Sequence, residues 1–278
     1  MNASSSTPAA AAVAVADLPP ALSPAEFRAF KLAAVEPISH NTARFRFALP
    51  HKDQTIGMPT TSFVLTKFTP EGAAEPVVRP YTPTSTDDVR GHFDLVIKQY
   101  PDGKMSKHIF SLKVGDSLEV KGPLPKYPLA ANQHKEIGMI AGGTGLTPML
   151  QVVNKLLRDP TDTTKLTLLF ANVSESDILL KADLDALAAK HGDRFKVHYV
   201  IDKAENAAAW TGEVGHINKD LIKKYIPSPS ADNVKVFVCG PPGMMKAISG
   251  SKAPDFSQGE LDGVLKDLGY NKDQVFKV

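Results

Sequence analysis

Cysteine is almost absent from this chain of 278 residues, which has a single copy, Cys239. One cysteine excludes an intrachain disulfide, a zinc site built from cysteines and a four-cysteine iron–sulfur cluster. The histidines show no spacing typical of metal ligands, so no metal site is predicted. Any redox chemistry in this chain must therefore use an organic cofactor.

A long apolar run is also missing. A helix that spans a bilayer needs about 20 apolar residues, and the apolar run at the start of the chain, Ala9 to Ala16, is far shorter. No lysine or arginine precedes Arg28, so the positive charge of a secretory or mitochondrial targeting segment is lacking. We expect the chain as written to be soluble, without a transmembrane segment, and residues 1–25 to form a disordered leader.

Strong charge of one sign is absent, since the net charge is only +2. Residues 27–130 carry 14 basic and 10 acidic side chains, and aromatic residues make up 7% of the chain. This excess is too small and too poor in aromatics to indicate nucleic-acid binding, although it suits an acidic protein partner.

Two different patterns follow the leader. Residues 26–127 contain short alternating runs broken by proline and glycine, which is typical of an antiparallel β-barrel. Strands are expected at Ala43–Ala48, Ser62–Phe68, Phe93–Tyr100 and Ser117–Lys121, with one helix at Ser106–Leu112. Residues 128–134 are interpreted as a linker.

Residues 135–278 alternate apolar strands with helices, which indicates an α/β domain with a doubly wound parallel sheet. The predicted strands are Ile137–Ala141, Leu166–Asn172, Phe195–Ile201, Val234–Cys239 and Gln274–Val278. The predicted helices are Pro148–Arg158, Gly259–Leu268 and three that start near Ser176, Asn218 and Pro242. Two domains are therefore expected.

A glycine-rich turn, Gly142 to Pro148, joins the first strand of the second domain to its first helix. With Thr147 as N-cap and Pro148 at the first helical position, free N–H groups would face an anion such as a diphosphate. Such a turn is also compatible with a purely structural role. Pro148 replaces the third glycine of the usual dinucleotide fingerprint and Asn172 replaces the usual acid, which disfavours a standard Rossmann dehydrogenase.

Two further loops end at the same edge of the predicted sheet. Asp202 can accept hydrogen bonds from ribose hydroxyls and would repel a 2′-phosphate, which favours NADH over NADPH. The alternative interpretation of Asp202 is an acid that stabilises an ordinary turn or caps a helix. Cys239, which precedes Gly240 and Pro241, has no neighbouring base in the sequence and is not interpreted as a nucleophile; a small core residue is the alternative.

The first domain carries a run from Arg79 to Ser85 that combines a guanidinium, an aromatic ring and hydroxyls. These groups suit a phosphate, a planar heterocycle and its ring nitrogens and carbonyls, respectively. A strand end leading into a proline-rich turn is the alternative. The run Gly103 to Ser106 is predicted to offer helix N–H groups to a second phosphate. Val96, Lys98 and Tyr100 share one face of the preceding strand, where Lys98 is equally compatible with a solvated position.

Together these motifs resemble the NADH-cytochrome b5 reductase family, within the ferredoxin-reductase-like flavoproteins, from Phe27 to Val278. The resemblance rests on Arg79–Ser85, Gly103–Ser106, Lys121–Pro123, Gly142–Pro148 and Cys239–Met244. It implies FAD in the barrel, NADH in the α/β domain, and single electrons passed to cytochrome b5 or a similar acidic haem protein. Six lysines against three acids between Lys98 and Lys126 suit docking of that partner, and a generic solvated surface is the alternative.

The likeness is greatest to the fungal mitochondrial branch of the family. That likeness implies the mitochondrial outer membrane or intermembrane space, with the surface of the endoplasmic reticulum membrane as the alternative. A monomer is expected. Two other functions stay open, namely a non-catalytic NADH-binding sensor and a reductase of the same fold with another acceptor.

The resemblance also assigns individual residues. Thr82, Lys98 and Cys239 are placed at the catalytic centre. FAD is assigned to Arg79, Pro80, Tyr81, Thr82, Ser85, Val96, Lys98, Tyr100, Gly103, Lys104, Met105 and Ser106. NADH is assigned to Gly143, Thr144, Thr147, Asp202, Cys239, Gly240 and Pro241. The stretch between Tyr100 and Gly103 is short, and His216 stands where an aromatic often supports the NADH adenine, so the two adenine contacts are not assigned.

Overall fold

A computed structural model describes residues 18–278 and contains both expected sheets. The first is a six-stranded antiparallel sheet in the order β4-β3-β6-β1-β2-β5. Its elements are β1 (Arg28–Ser39), β2 (Thr42–Ala48), β3 (Ser62–Phe68), β4 (Val77–Tyr81), β5 (His92–Lys98), α1 (Lys104–Ser111) and β6 (Ser117–Pro125).

Hydrogen bonds join the two outer strands of this sheet. The backbone N–H of Thr84, just after β4, donates to the carbonyl of Asp94 in β5 at 2.9 Å, and Asp94 N–H donates to the Ser85 hydroxyl at 3.2 Å. The edge strands are thus connected, as in a barrel, around a core in which Phe45 and Phe93 are fully buried.

The second sheet has six parallel strands in the order β10-β9-β8-β7-β11-β12. Its strands are β7 (Glu136–Gly142), β8 (Lys165–Asn172), β9 (Phe195–Ile201), β10 (Glu213–Val214), β11 (Val234–Cys239) and β12 (Val275–Lys277). Its helices are α2 (Leu146–Arg158), α3 (Lys181–Lys190), α4 (Lys219–Tyr225), α5 (Pro242–Ser249) and α6 (Gly263–Asp267). The central strands are buried on both faces, which explains their continuous apolar sequences.

Several predicted element ends are wrong for local reasons. β5 stops at Lys98 rather than Tyr100, because the Tyr100 carbonyl accepts from Gly103 N–H in a turn at 3.0 Å. The helix expected near Ser176 begins only at Lys181, since Glu175–Asp177 forms a separate 3₁₀ turn. The last helix is shorter than predicted, and the two-residue strand β10 was not predicted because it is too short to show alternation.

The described part of the predicted leader and the predicted linker both pack against the domains. Residues 1–17 lie outside the described residues, while Ala21 and Leu22 pack into the core of the first domain. Tyr127 directly precedes the predicted linker; its ring packs 5.2 Å from the Phe237 ring, and its hydroxyl pairs at 2.7 Å with Nε2 of His134, the last residue of the linker. These contacts fix this segment to the second domain. The exact domain boundaries stay a prediction.

Candidate functional site

Arg79 and Tyr81 lie within β4, which is not among the strands predicted from the sequence; the end of a strand was only the alternative interpretation of this run. The Arg79 guanidinium is exposed and donates one N–H to the Val78 carbonyl at 2.7 Å, which leaves its other donors for an anion. Burial raises the pKa of the Tyr81 phenol to about 12, although the charge of Arg79 acts in the opposite direction. Tyr81 is therefore a neutral, half-buried ring beside a fixed cation.

The start of α1 presents free amide groups close to Tyr100. The first intrahelical bond runs from Lys107 N–H to the Gly103 carbonyl at 2.9 Å, so the N–H groups of Lys104 to Ser106 precede the helical ladder. The first turn holds no acidic residue. The Ser106 hydroxyl accepts from Tyr100 N–H at 3.2 Å and donates to the Gly103 carbonyl at 3.1 Å, which holds this turn against the end of β5. A phosphate group fits these donors.

The glycine-rich turn of the second domain differs from the prediction in where its helix starts, so Pro148 is the third residue of α2 rather than the first. Gly143–Gly145 forms a 3₁₀ turn and α2 starts at Leu146, so Thr147 lies inside the helix and is not its N-cap. The Thr147 hydroxyl donates back to the Thr144 carbonyl at 3.2 Å. Gly143 has φ +53°, a left-handed conformation in which its missing side chain avoids strain.

Gly145 brings the turn against the loop that follows β11. A Cβ atom on Gly145 would lie 2.2 Å from the carbonyl oxygen of Cys239, so the two backbones approach as closely as only glycine permits. Burial raises the pKa of the Cys239 thiol to about 11, against the opposing charge of Lys252. The thiol is therefore protonated near neutral pH, which excludes a thiolate nucleophile.

Asp202 and Asn172 lie at the carboxyl ends of β9 and β8. Asp202 N–H donates to the Asn172 carbonyl at 3.1 Å, and the Asp202 carboxylate lies 3.4 Å from Nε2 of His216. Asn172 is buried, and within residues 18–278 its side-chain Nδ2 has no hydrogen-bond partner. An unsatisfied buried donor beside a half-exposed carboxylate fits the polar ribose and amide groups of a dinucleotide.

Two contacts connect the flavin-assigned residues to the nucleotide-assigned residues across the domain seam. Lys98 Nζ donates to Oδ1 of Asp177 at 3.1 Å, and the Tyr100 hydroxyl lies 3.4 Å from Oγ1 of Thr144. The two candidate half-sites therefore meet at one crevice, with β5 on one side and the turn after β7 on the other.

Ser85 also has a structural role beside its proposed contact with FAD. Its hydroxyl accepts from Asp94 N–H and lines a groove of about 460 Å³ together with Leu150 and Asn154 of α2. Its contact with FAD stays a prediction. Val96 is buried in the interior of β5, and Thr82 is half-buried directly after β4.

Sequence reasoning missed Asp177, the partner of Lys98. The sequence could have indicated Asp177 as a site residue, because Ser174 and Asp177 follow β8 at the same edge of the sheet as the glycine-rich turn. Within the described range, 18–278, no group of three or more histidine, cysteine or carboxylate side chains has the arrangement of a metal site. In the same range no helix has the length and apolar content required to cross a membrane.

Comparisons with known proteins agree with this architecture. Residues 29–128 match the family of oxidoreductase FAD-binding domains, and residues 139–250 match the family of oxidoreductase NAD-binding domains. NADH-cytochrome b5 reductase 2 of Aspergillus fumigatus is 50% identical over 271 residues, which cover 95% of this chain and 83% of that protein. The protein of the same name from Chaetomium globosum is 52% identical over 247 residues, which cover 89% of this chain and 70% of the relative.

Solved structures show the same two-domain fold. The cytochrome b5 reductase domain of Ulva prolifera nitrate reductase superposes with a TM-score of 0.80 at 36% identity and covers 94% of this chain and 100% of that one. The CS-b5R domains of human Ncb5or, in their NAD⁺ form, superpose with a TM-score of 0.74 at 25% identity and cover 90% of this chain and 69% of that one.

Proposed function

The chain belongs to the NADH-cytochrome b5 reductase family, and we propose that it passes single electrons to cytochrome b5 or a similar acidic haem protein. It is an NADH-dependent FAD oxidoreductase, with FAD and NADH as its cofactors. When bound, FAD would supply the chemistry that converts the two-electron oxidation of NADH into single-electron transfer. The observation that carries the proposal is the meeting of the two half-sites, through Tyr100 and Thr144, at one crevice. No comparison supports the alternative of a non-catalytic sensor.

We assign the FAD site to the barrel. The free donors of Arg79 and the first amides of α1 would bind the diphosphate from two sides. The neutral ring of Tyr81 would pack on the flavin, and the Thr82 hydroxyl would hydrogen-bond to it. The complete proposed set is Arg79, Pro80, Tyr81, Thr82, Ser85, Val96, Lys98, Tyr100, Gly103, Lys104, Met105 and Ser106.

We assign NADH to the carboxyl edge of the parallel sheet. The turn at Gly143 and Thr144 would approach the diphosphate, and Asp202 would accept from the adenosine ribose. Cys239 would pack as a neutral thiol against the nicotinamide, beside Lys98 and Thr82 of the barrel. The complete proposed set is Gly143, Thr144, Thr147, Asp202, Cys239, Gly240 and Pro241. The main contribution of these residues to the rate would be to align the bound nicotinamide with the flavin.

The docking face for the haem protein is proposed on α1 and the turn after it. Lys104, Lys107 and Lys113 are exposed there. Lys98 does not belong to this face, because its ammonium is bound to Asp177 and its side chain is only 18% exposed. Exposed positive charge accelerates encounter with an acidic partner and is screened by salt.

The acceptor proposal is tested by the steady-state reduction of cytochrome b5 at increasing ionic strength. We expect the rate at low cytochrome concentration to fall with salt, and Lys107→Glu or Lys113→Glu to raise the KM for cytochrome b5. Lys190→Glu, an exposed charge reversal on α3 of the other domain, is the matched control and should leave KM unchanged. A rate independent of salt would rule out the docking face, and failure to reduce cytochrome b5 while NADH still reduces the flavin would point to another acceptor.

We further propose that the protein acts at the mitochondrial outer membrane or in the intermembrane space, with the endoplasmic reticulum surface as the alternative. The likeness to the fungal enzymes supports this location. Immunoblotting of fractionated organelles tests it. A monomer is proposed as well, and light scattering during size-exclusion chromatography measures its mass.

A further inference from the structure

Lys98 and Asp177 form a shielded ion pair between the two domains. Lys98 is the last residue of β5, and Asp177 ends the 3₁₀ turn after β8. Their side chains are 18% and 11% exposed, and Nζ lies 3.1 Å from Oδ1. Other ion pairs that cross the seam, such as Arg44 with Asp183 at 3.9 Å, involve more exposed groups. Because the Lys98–Asp177 pair is shielded from water, its attraction is screened less than that of an exposed pair.

Asp177 is itself held in place from its own domain. The Ser174 hydroxyl donates to its second carboxylate oxygen at 2.8 Å. Ser174 also lies 2.9 Å from the hydroxyl of Ser176, which donates to Glu205 at 3.0 Å. This chain of hydrogen bonds connects Lys98 to the loop that follows Asp202, the residue assigned to the adenosine ribose. The anchor for Lys98 therefore belongs to the nucleotide-binding domain and not to the barrel.

The carboxylate of Asp177 is ionised at neutral pH. Burial alone would raise its pKa, but the hydrogen bonds from Ser174 and Lys98 outweigh burial and hold the pKa below its ordinary value. A charged acceptor can thus fix the ammonium of Lys98, whose long stem otherwise allows many rotamers.

We propose that Asp177 is the positioning residue of Lys98: it fixes the ammonium at one place in the crevice, so that hydride transfer from NADH proceeds with the lysine already aligned. This inference rests on the proposed function, in which Lys98 belongs to the FAD site and lies beside the nicotinamide. Two other roles differ from it in measurable ways. If Asp177 acted only through its charge, its removal would change the hydride-transfer rate only as far as it changes the flavin potential. If Asp177 only linked the two domains, its removal would change the rate independently of Lys98.

The test uses the FAD-loaded full chain and anaerobic stopped-flow reduction by NADH, which separates the limiting rate from the NADH dissociation constant. We expect Asp177→Asn and Lys98→Met each to lower the limiting rate about tenfold. The double variant should be no slower than Lys98→Met, because Asp177 has no lysine left to position once Lys98 is replaced. Asp177→Glu should restore part of the rate. Asp183→Asn, which removes an exposed carboxylate from the same seam, is the matched control and should reduce at the wild-type rate.

The flavin midpoint potential, measured without NADH, supplies the second readout. Removal of the negative charge in Asp177→Asn should raise the potential, and removal of the positive charge in Lys98→Met should lower it. A positioning role predicts slower hydride transfer in both variants despite these opposite shifts. The proposal is overturned if Asp177→Asn leaves the limiting rate unchanged, or if that rate changes as the shift in flavin potential predicts. It is also overturned if the double variant is slower than Lys98→Met by the factor that Asp177→Asn alone causes. Failure of the proposed NADH and FAD sites would look different, since the wild-type protein would then not be reduced by NADH at all.

Discussion

Replacement of Gly145 by alanine should weaken NADH binding and leave FAD in place. The added Cβ would lie 2.2 Å from the carbonyl oxygen of Cys239, 2.6 Å from its carbonyl carbon and 2.9 Å from the nitrogen of Gly240. All three are backbone atoms, so no side chain can rotate away. To restore an approach of 3.0 Å, the turn after β7 and the loop after β11 must separate by about 0.8 Å.

The size of the effect follows from the cost of overpacking, which is about 1–3 kcal/mol in a packed interior. Separation of the two loops relieves this strain in the free protein. In the proposed site NADH contacts both loops, so the strain should return on binding. A cost of about 1–3 kcal/mol corresponds to an affinity loss of roughly 5- to 150-fold. FAD should be retained because its proposed residues lie in the other domain.

The assay is isothermal titration of the Gly145→Ala protein with NAD⁺ or ADP-ribose, together with its flavin-to-protein absorbance ratio. Gly243→Ala is the matched control, since its Cβ would meet no atom within 4 Å and Gly243 lies in the first turn of α5. It should bind like the wild type. Equal nucleotide affinity in Gly145→Ala and wild type would refute the proposed contact between these loops in the bound state.

Three further outcomes are expected. Asp202→Ala should narrow the preference for NADH over NADPH, because a carboxylate that repels the 2′-phosphate is removed; an unchanged ratio of kcat/KM values would contradict a ribose role. Arg79→Ala should lose FAD on dialysis, and full retention of the flavin would remove Arg79 from the site. Burial lowers the pKa of His108, His134 and His198 below that of the unfolded chain. The unfolded state therefore binds more protons, and the urea midpoint should fall as the pH drops below about 6.5, whereas an unchanged midpoint at pH 5.5 would contradict this.

The sequence predicted best what is contiguous in the chain. The β8 and β9 strands were found with bounds within one residue, because a parallel strand buried on both faces is a continuous apolar run. The runs around Arg79, Gly103 and Gly143 each hold their candidate phosphate-binding groups within a few consecutive residues, so they can be predicted without a structure.

Contacts between distant segments were not predictable in this way. Lys98 and Asp177 are 79 positions apart and meet only because the two domains pack together. Likewise, no sequence pattern indicates that the Ser85 hydroxyl accepts from Asp94 N–H and so connects the two edges of the barrel sheet. The start of α2 was misplaced because the 3₁₀ turn at Gly143–Gly145 takes up the residues expected to cap the helix.

The most direct test of the account is an anaerobic absorbance spectrum of the purified protein during titration with NADH. We predict a yellow protein whose flavin absorption in the visible range is bleached by about one equivalent of NADH, since one hydride reduces one flavin. A protein that purifies without flavin, or whose bound flavin keeps its oxidised spectrum in excess NADH, would contradict the claim that the two half-sites work as one crevice for hydride transfer.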